Sequence, residues 1–368
     1  MKKSKFTLVG KITLTSTIIY CLALSALESL VVVYHHAFVS KFELTTRGEG
    51  ISDSDLIYHG IFILSLIFQV ILCVYSLIRR NSIQLMALVI FNFLSLAYAG
   101  VQIYQHMILE DEGTNGAKFK PNDKFSGPED AKIYFIKRMR PIEYAIASLV
   151  LAFSIYLGLL SYKLSKEFGW ENYKTYTADL KVRKAFVKLT ILQTLVKLDI
   201  FFILSYAIQL IPSKIIGYSN SLFETTSIFV IGFLLILMAL YSVENEMKYI
   251  LLTVINLCCI SLAYIVYRLI GINTPIESGN FDPYEFTRRL LTFTLCVTFI
   301  LLCATIYYSI ICFRNMSHGI YVYSVYGRPG SKVSSEHGLD IPTDEIKKSR
   351  RASKKAEYVR SSTTISLD

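Results

Sequence analysis

The sequence predicts an all-α, polytopic transmembrane helical bundle of about eight spans, and three observations point there. Eight apolar stretches approach or exceed the roughly 20 residues that a helix needs to cross the hydrocarbon core. The 368-residue chain is 53% hydrophobic with a mean hydropathy of +0.46, beyond the about 45–50% usual in a soluble domain. The period-two alternation of a membrane barrel is absent, so helices, which satisfy their own backbone in lipid, are the economical solution.

Span one, Ile12–Phe38, follows the basic Met1-Lys-Lys-Ser-Lys. That start, with Ala23-Leu-Ser25 as a cleavage site, would suit a signal peptide. The stretch is longer than the roughly 7–15 residues of a signal core and contains Glu28, so it reads as an uncleaved signal anchor. Spans two (Leu56–Ile78) and three (Ile83–Met107) are joined through Arg79 and Arg80. Span four, Pro141–Tyr162, follows the connection 109–140, whose Gly113, Gly116, Pro121, Gly127 and Pro128 mark an irregular loop. Span five, Phe186–Ile211, follows a charged piece, 163–185. Spans six (Leu222–Tyr241), seven (Met247–Ile270) and eight (Leu290–Phe313) complete the bundle, residues 1–313. Tight connections after spans two, five and six make those helices antiparallel neighbours. Residues 314–368 form a basic tail, largely of disordered composition. No internal repeat is visible.

Charge sets the expected orientation. With the N-terminus cytosolic, Lys2, Lys3, Lys5, Lys11, Arg79, Arg80, Lys163, Lys166, Lys174, Lys181, Arg183, Lys184 and Lys188 fall inside, as does the tail. The 109–140 connection opposes this rule with Lys118, Lys120, Lys124, Lys132, Lys137, Arg138 and Arg140, interleaved with acidic residues. Both termini are expected in the cytosol. The net charge of +10 is spread beside the spans, which suits anionic lipid at the cytosolic face and argues against nucleic acid. All seven cysteines lie in spans or at a span end, so no lumenal disulfide framework is available.

Span five carries the sharpest chemical signal, Lys197 and Asp199 near its middle. Two such charges cost about 5–7 kcal/mol on insertion scales, which the neighbouring apolar residues only roughly offset, so this helix needs protein around it. Two positions apart, they point about 200° from each other and cannot pair. Thr190, Gln193 and Lys197 form one polar stripe; Asp199, Phe202, Tyr206 and Gln209 form another. Asn92 and Asn256 lie at comparable depth and Glu28 somewhat nearer the lumen, which makes them candidate partners. The functional reading is an ion or proton relay or a polar substrate site; the structural reading is a polar network that pins the bundle. His35, His36, His59 and His106, with Glu143 and Glu224, fall at predicted lumenal span ends, where they could bind a metal or sense pH. Their spacing matches no metal motif, so no metal or cofactor is assigned.

In the tail, Arg350-Arg351-Ala352-Ser353 lies among Lys347, Lys348, Lys354 and Lys355. A phosphate on Ser353 would weaken attraction to anionic lipid, an electrostatic switch. No nucleophile elbow, P-loop, zincin helix or dinucleotide fingerprint is present, so an enzyme is not expected.

Phe168-Gly169-Trp170-Glu-Asn-Tyr173-Lys174 continues through Ala178-Asp179 to Lys197-Leu-Asp199-Ile-Phe201-Phe202, with Gln209 beyond. This resembles the uncharacterised fungal Golgi-apparatus multi-pass membrane protein family, with Thr177 where that family has Gly. The resemblance implies a Golgi membrane location and supplies no activity or protein partner. Two functional expectations follow: a solute or ion-coupled carrier using Lys197 and Asp199, or a non-catalytic trafficking or scaffold protein acting through its tail.

Overall fold

The first helix, α1 (Leu8–Val39), illustrates how the bundle is built. Thr7 accepts a hydrogen bond from the Gly10 amide at 3.2 Å, capping the first turn. Thr13, Thr17, Tyr20, Leu24, Glu28, Val31, His35 and Phe38 are buried at three- or four-residue intervals, so one stripe faces protein. The computed structural model describes residues 7–40, 42–44, 46–115, 119–121, 133–175, 180–211, 221–274, 284 and 287–322. Seven further long helices follow among the described residues: α2 (Thr46–Ile78), α3 (Ser82–Asn115), α4 (Arg140–Thr175), α5 (Leu180–Gln209), α6 (Ser221–Glu244), α7 (Lys248–Asn273) and α8 (Arg288–Ser317). All eight are long and apolar enough to cross a membrane, at the places the sequence predicts. The chain is a multi-pass, all-α membrane protein.

The helices form two rings of four. In the first, each of α1 to α4 packs on its chain neighbour and α4 returns to α1; α5 to α8 repeat the arrangement. Each ring has its own apolar core. The helix α5 joins them, packing on α2 and α3 as well as on α6 and α8. It is the most buried span, with 61% of its apolar window inside the protein against 22% for α7. The seam is aromatic: the Phe201 ring lies 4.9 Å from that of Phe91 and 5.2 Å from that of Phe68.

Turn chemistry sets the antiparallel order. Between α2 and α3, Arg80 adopts a left-handed φ of 48°. The Asn81 side chain then accepts from the amides of Ile83 and Gln84 at 3.0 and 3.4 Å, capping α3. The connections differ from expectation in two places. The helix α4 continues through Thr175, so much of the charged 163–185 piece is helical. Within 109–140, strand β2 (Phe119–Pro121) pairs antiparallel with β1 (Phe42–Leu44), Phe42 opposite Pro121. A single π-helical turn, Phe135–Met139, leads into α4. All seven cysteines are free. Most of the basic tail, Ser353 included, lies outside the described residues, as does Asp179.

Candidate functional site

The polar residues predicted around Lys197 and Asp199 do not form one site. As their angular separation demands, the two side chains address different helices. The Lys197 ammonium sits over the Tyr75 ring of α2, 3.4 Å from its centroid, and makes no hydrogen bond among the described residues. Asp199 Oδ2 accepts from the Thr305 hydroxyl of α8 at 2.6 Å, while its buried Oδ1 has no hydrogen-bond partner among the described residues. Gln193 is buried on the Lys197 face. Gln209 donates to Thr294 of α8 at 3.0 Å.

The other expected partners lie elsewhere. Asn92 accepts from the Tyr20 hydroxyl at 2.9 Å and donates to Ser154 at 2.7 Å, tying α3 to α1 and α4. Asn256 is exposed on the outer side of α7, so it is not part of a buried polar core. Its rotation about the helix axis turns it outward. Glu28 pairs with a histidine within the first ring. Of the motif residues, Gly169 has open space around its Cα, and Trp170, Tyr173 and Lys174 occupy the last turns of α4.

The dense chemistry lies at one end of the first ring. His35 comes from α1, Asp55 and His59 from α2, His106 from α3 and Glu143 from α4, and all five are buried. Asp55 Oδ2 is 2.8 Å from His106 Nε2, 3.1 Å from His35 Nδ1 and 3.4 Å from His59 Nε2. The His59 and His106 Nε2 atoms stand 3.3 Å apart. Each imidazole is also held from its other side. His59 Nδ1 meets Glu28 Oε1 at 2.7 Å, His106 Nδ1 meets Glu143, and His35 Nε2 meets Ser52 Oγ at 3.1 Å. Gln102 donates to Glu28 at 2.9 Å, satisfying that carboxylate further. A narrow cavity between α1, α3 and α4 reaches Glu28, His59, Gln102, His106 and Glu143.

Helix direction explains the layering. Asp55 precedes His59 by four residues on α2, and Gln102 precedes His106 by four on the antiparallel α3. Each pair therefore shares a helix face, one turn apart in depth. Three carboxylates and three imidazoles are thus enclosed where water cannot solvate them. His36, by contrast, is exposed.

The second ring carries a cluster at the same end. Arg268 Nε of α7 lies 2.9 Å from Glu224 Oε1 of α6 and 3.1 Å from the Tyr206 hydroxyl, and Nη2 donates to Tyr284 at 3.2 Å. Tyr264 donates to Glu224. One member, Glu224, was expected at this end; the cation beside it was not singled out.

No family model matches the chain, and no solved structure does. A UPF0658 Golgi apparatus membrane protein of Schizosaccharomyces pombe matches over 324 residues at 25% identity, covering 84% of this chain and 90% of that one. The chain is a homologue of that protein. The resemblance drawn from residues 168–209 therefore extends over most of the bundle, and the family it indicated is the one to which this relative is assigned, an uncharacterised one.

Sequence reasoning named His35, His59, His106 and Glu143 as lumenal-end residues but missed Asp55, on which the three imidazoles converge. The signal was available: Asp55 and His59 are an i,i+4 acid–imidazole pair on one face of an apolar helix. Glu28 and His35, seven apart, share a face of α1 in the same way.

Proposed function

We propose that the protein is a Golgi-membrane carrier for a small cation, with the imidazole–carboxylate cluster of α1–α4 as its binding centre. One observation supports this reading above the rest: three buried carboxylates, Glu28, Asp55 and Glu143, meet three buried imidazoles within a membrane-spanning ring. Ionisable groups inside a membrane protein are costly to bury and mark ion pathways by default. Neutral imidazoles would leave the carboxylates uncompensated, so the cluster calls for cations. Golgi residence is supported by the name of the fission-yeast homologue, and cytosolic termini by the Lys and Arg distribution.

In this reading α5 is the coupling element. Lys197 faces Tyr75 of the first ring and Asp199 faces Thr305 of the second, so relative motion of the rings would act on both. The test is cation flux in proteoliposomes made from purified full-length chain. Flux in wild type and its loss in Asp55→Asn, at equal protein incorporation, is the expected result. No flux of protons or divalent metals would sink the proposal.

A trafficking or scaffold role through the basic tail is the second reading, favoured by the run Lys347 to Lys355, which suits anionic lipid. It expects cluster variants to keep normal cellular function and tail deletion to abolish it. No catalytic role is proposed.

A further inference from the structure

We infer that His35, Asp55 and His106, with His59 beside them, form a buried binding site for a divalent transition-metal ion of the zinc class. The inference rests on the cation reading above and names the ion class. Donor atoms of His35, Asp55 and His106 lie within 4.8 Å of one another, from three different helices. Ligands bound at about 2.0–2.1 Å in a tetrahedron stand about 3.3–3.4 Å apart. The spacings here are 2.8 Å from Asp55 to His106, 3.1 Å from Asp55 to His35 and 3.3 Å from His59 to His106. Small side-chain adjustments would bring such a set onto one ion.

The outer contacts make the set more than a coincidence of distances. A metal-ligating imidazole donates its remote N–H to a carboxylate or another oxygen, which fixes the tautomer and directs the lone pair at the metal. Glu28 holds His59 Nδ1, Glu143 holds His106 Nδ1 and Ser52 holds His35 Nε2. With the two carboxylates receiving the Nδ1 protons, the facing Nε2 atoms of His59 and His106 present lone pairs to each other and to Asp55. That arrangement is repulsive unless positive charge, a metal ion or protons on Nε2, stands among them. Asp55 Oδ1 is buried without a hydrogen-bond partner among the described residues, the condition expected of an unfilled ligand position.

Donor chemistry selects the ion. Imidazole nitrogen with one carboxylate suits zinc and its first-row neighbours, whereas calcium and magnesium take oxygen sets.

The test uses purified full-length protein in detergent, stripped with chelator and titrated with Co2+, then Zn2+. The expected result is one Co2+ per chain, with the visible absorption of a tetrahedral nitrogen–oxygen site, displaced by one equivalent of Zn2+. Glu143→Gln, which removes only an outer partner, should weaken binding about 10–100-fold. Asp55→Asn should abolish it, and exposed His36→Ala should leave it unchanged. If Asp55→Asn does not fold, wild type and Glu143→Gln decide the matter. Wild type that binds no Co2+ or Zn2+, or Glu143→Gln that binds as tightly as wild type, overturns the inference. Flux in proteoliposomes separates the two claims: metal bound without flux upholds the site and removes the carrier. Proton flux without metal binding overturns the metal site and leaves the carrier.

Discussion

The hydroxyl of Thr305 on α8 donates to Asp199 on α5 at 2.6 Å, and this is the bond that anchors the intramembrane carboxylate to the second ring. Thr305→Val removes the donor and leaves a buried polar group unsatisfied, a loss of about 1–3 kcal/mol. Asp199→Asn keeps an acceptor for Thr305 and removes the charge, so it should retain abundance. Thermal unfolding in detergent checks both. Equal melting of Thr305→Val and wild type would show that the bond contributes nothing.

Glu224 and Arg268 should show the asymmetry of a largely buried ion pair, Glu224 keeping partial exposure. Glu224→Gln alone removes the charge facing Arg268 Nε and should destabilise, by less than the about 3–5 kcal/mol of a fully buried pair. Replacing both, as Glu224→Leu with Arg268→Met, should recover much of that loss. A double variant no more stable than Glu224→Gln would refute this.

At Gly232, α6 packs tightly against α5. A Cβ there would stand 2.7 Å from Ile203 Cγ2. A branched side chain has no room, so Gly232→Val should cost about 1–3 kcal/mol by overpacking, and Ile203→Ala in the same chain should restore part of it. The double-mutant cycle of melting temperatures is the measurement.

Phe201 joins the rings through the Phe68 and Phe91 rings. Phe201→Leu keeps the apolar surface and loses both ring contacts, at about 0.5–1.5 kcal/mol for each pair. Limited proteolysis of purified protein should then cleave between α4 and α5 sooner than in wild type. Unchanged cleavage would place the cohesion of the rings elsewhere.

The behaviour of α5 was legible because it depends on local quantities. Lys197 and Asp199 sit in a span too costly to face lipid, and α5 is the most buried helix. Their separation around the axis forbids a mutual pair, and they contact Tyr75 and Thr305 instead. Rotation was not legible: Asn92 and Asn256 were expected at similar depth, yet one is buried and the other exposed.

The sequence by itself determined the class, the eight spans, their approximate bounds and the helix that must lie inside, because hydropathy and helical period act over one segment at a time. Only the tertiary structure decided which polar residues meet. Glu28 is 31 positions from His59, Asp55 is 51 from His106 and Asp199 is 106 from Thr305. Contacts of that range depend on which helices adjoin and how each is turned about its axis. Those are set by the packing of whole faces, and no single segment contains that information.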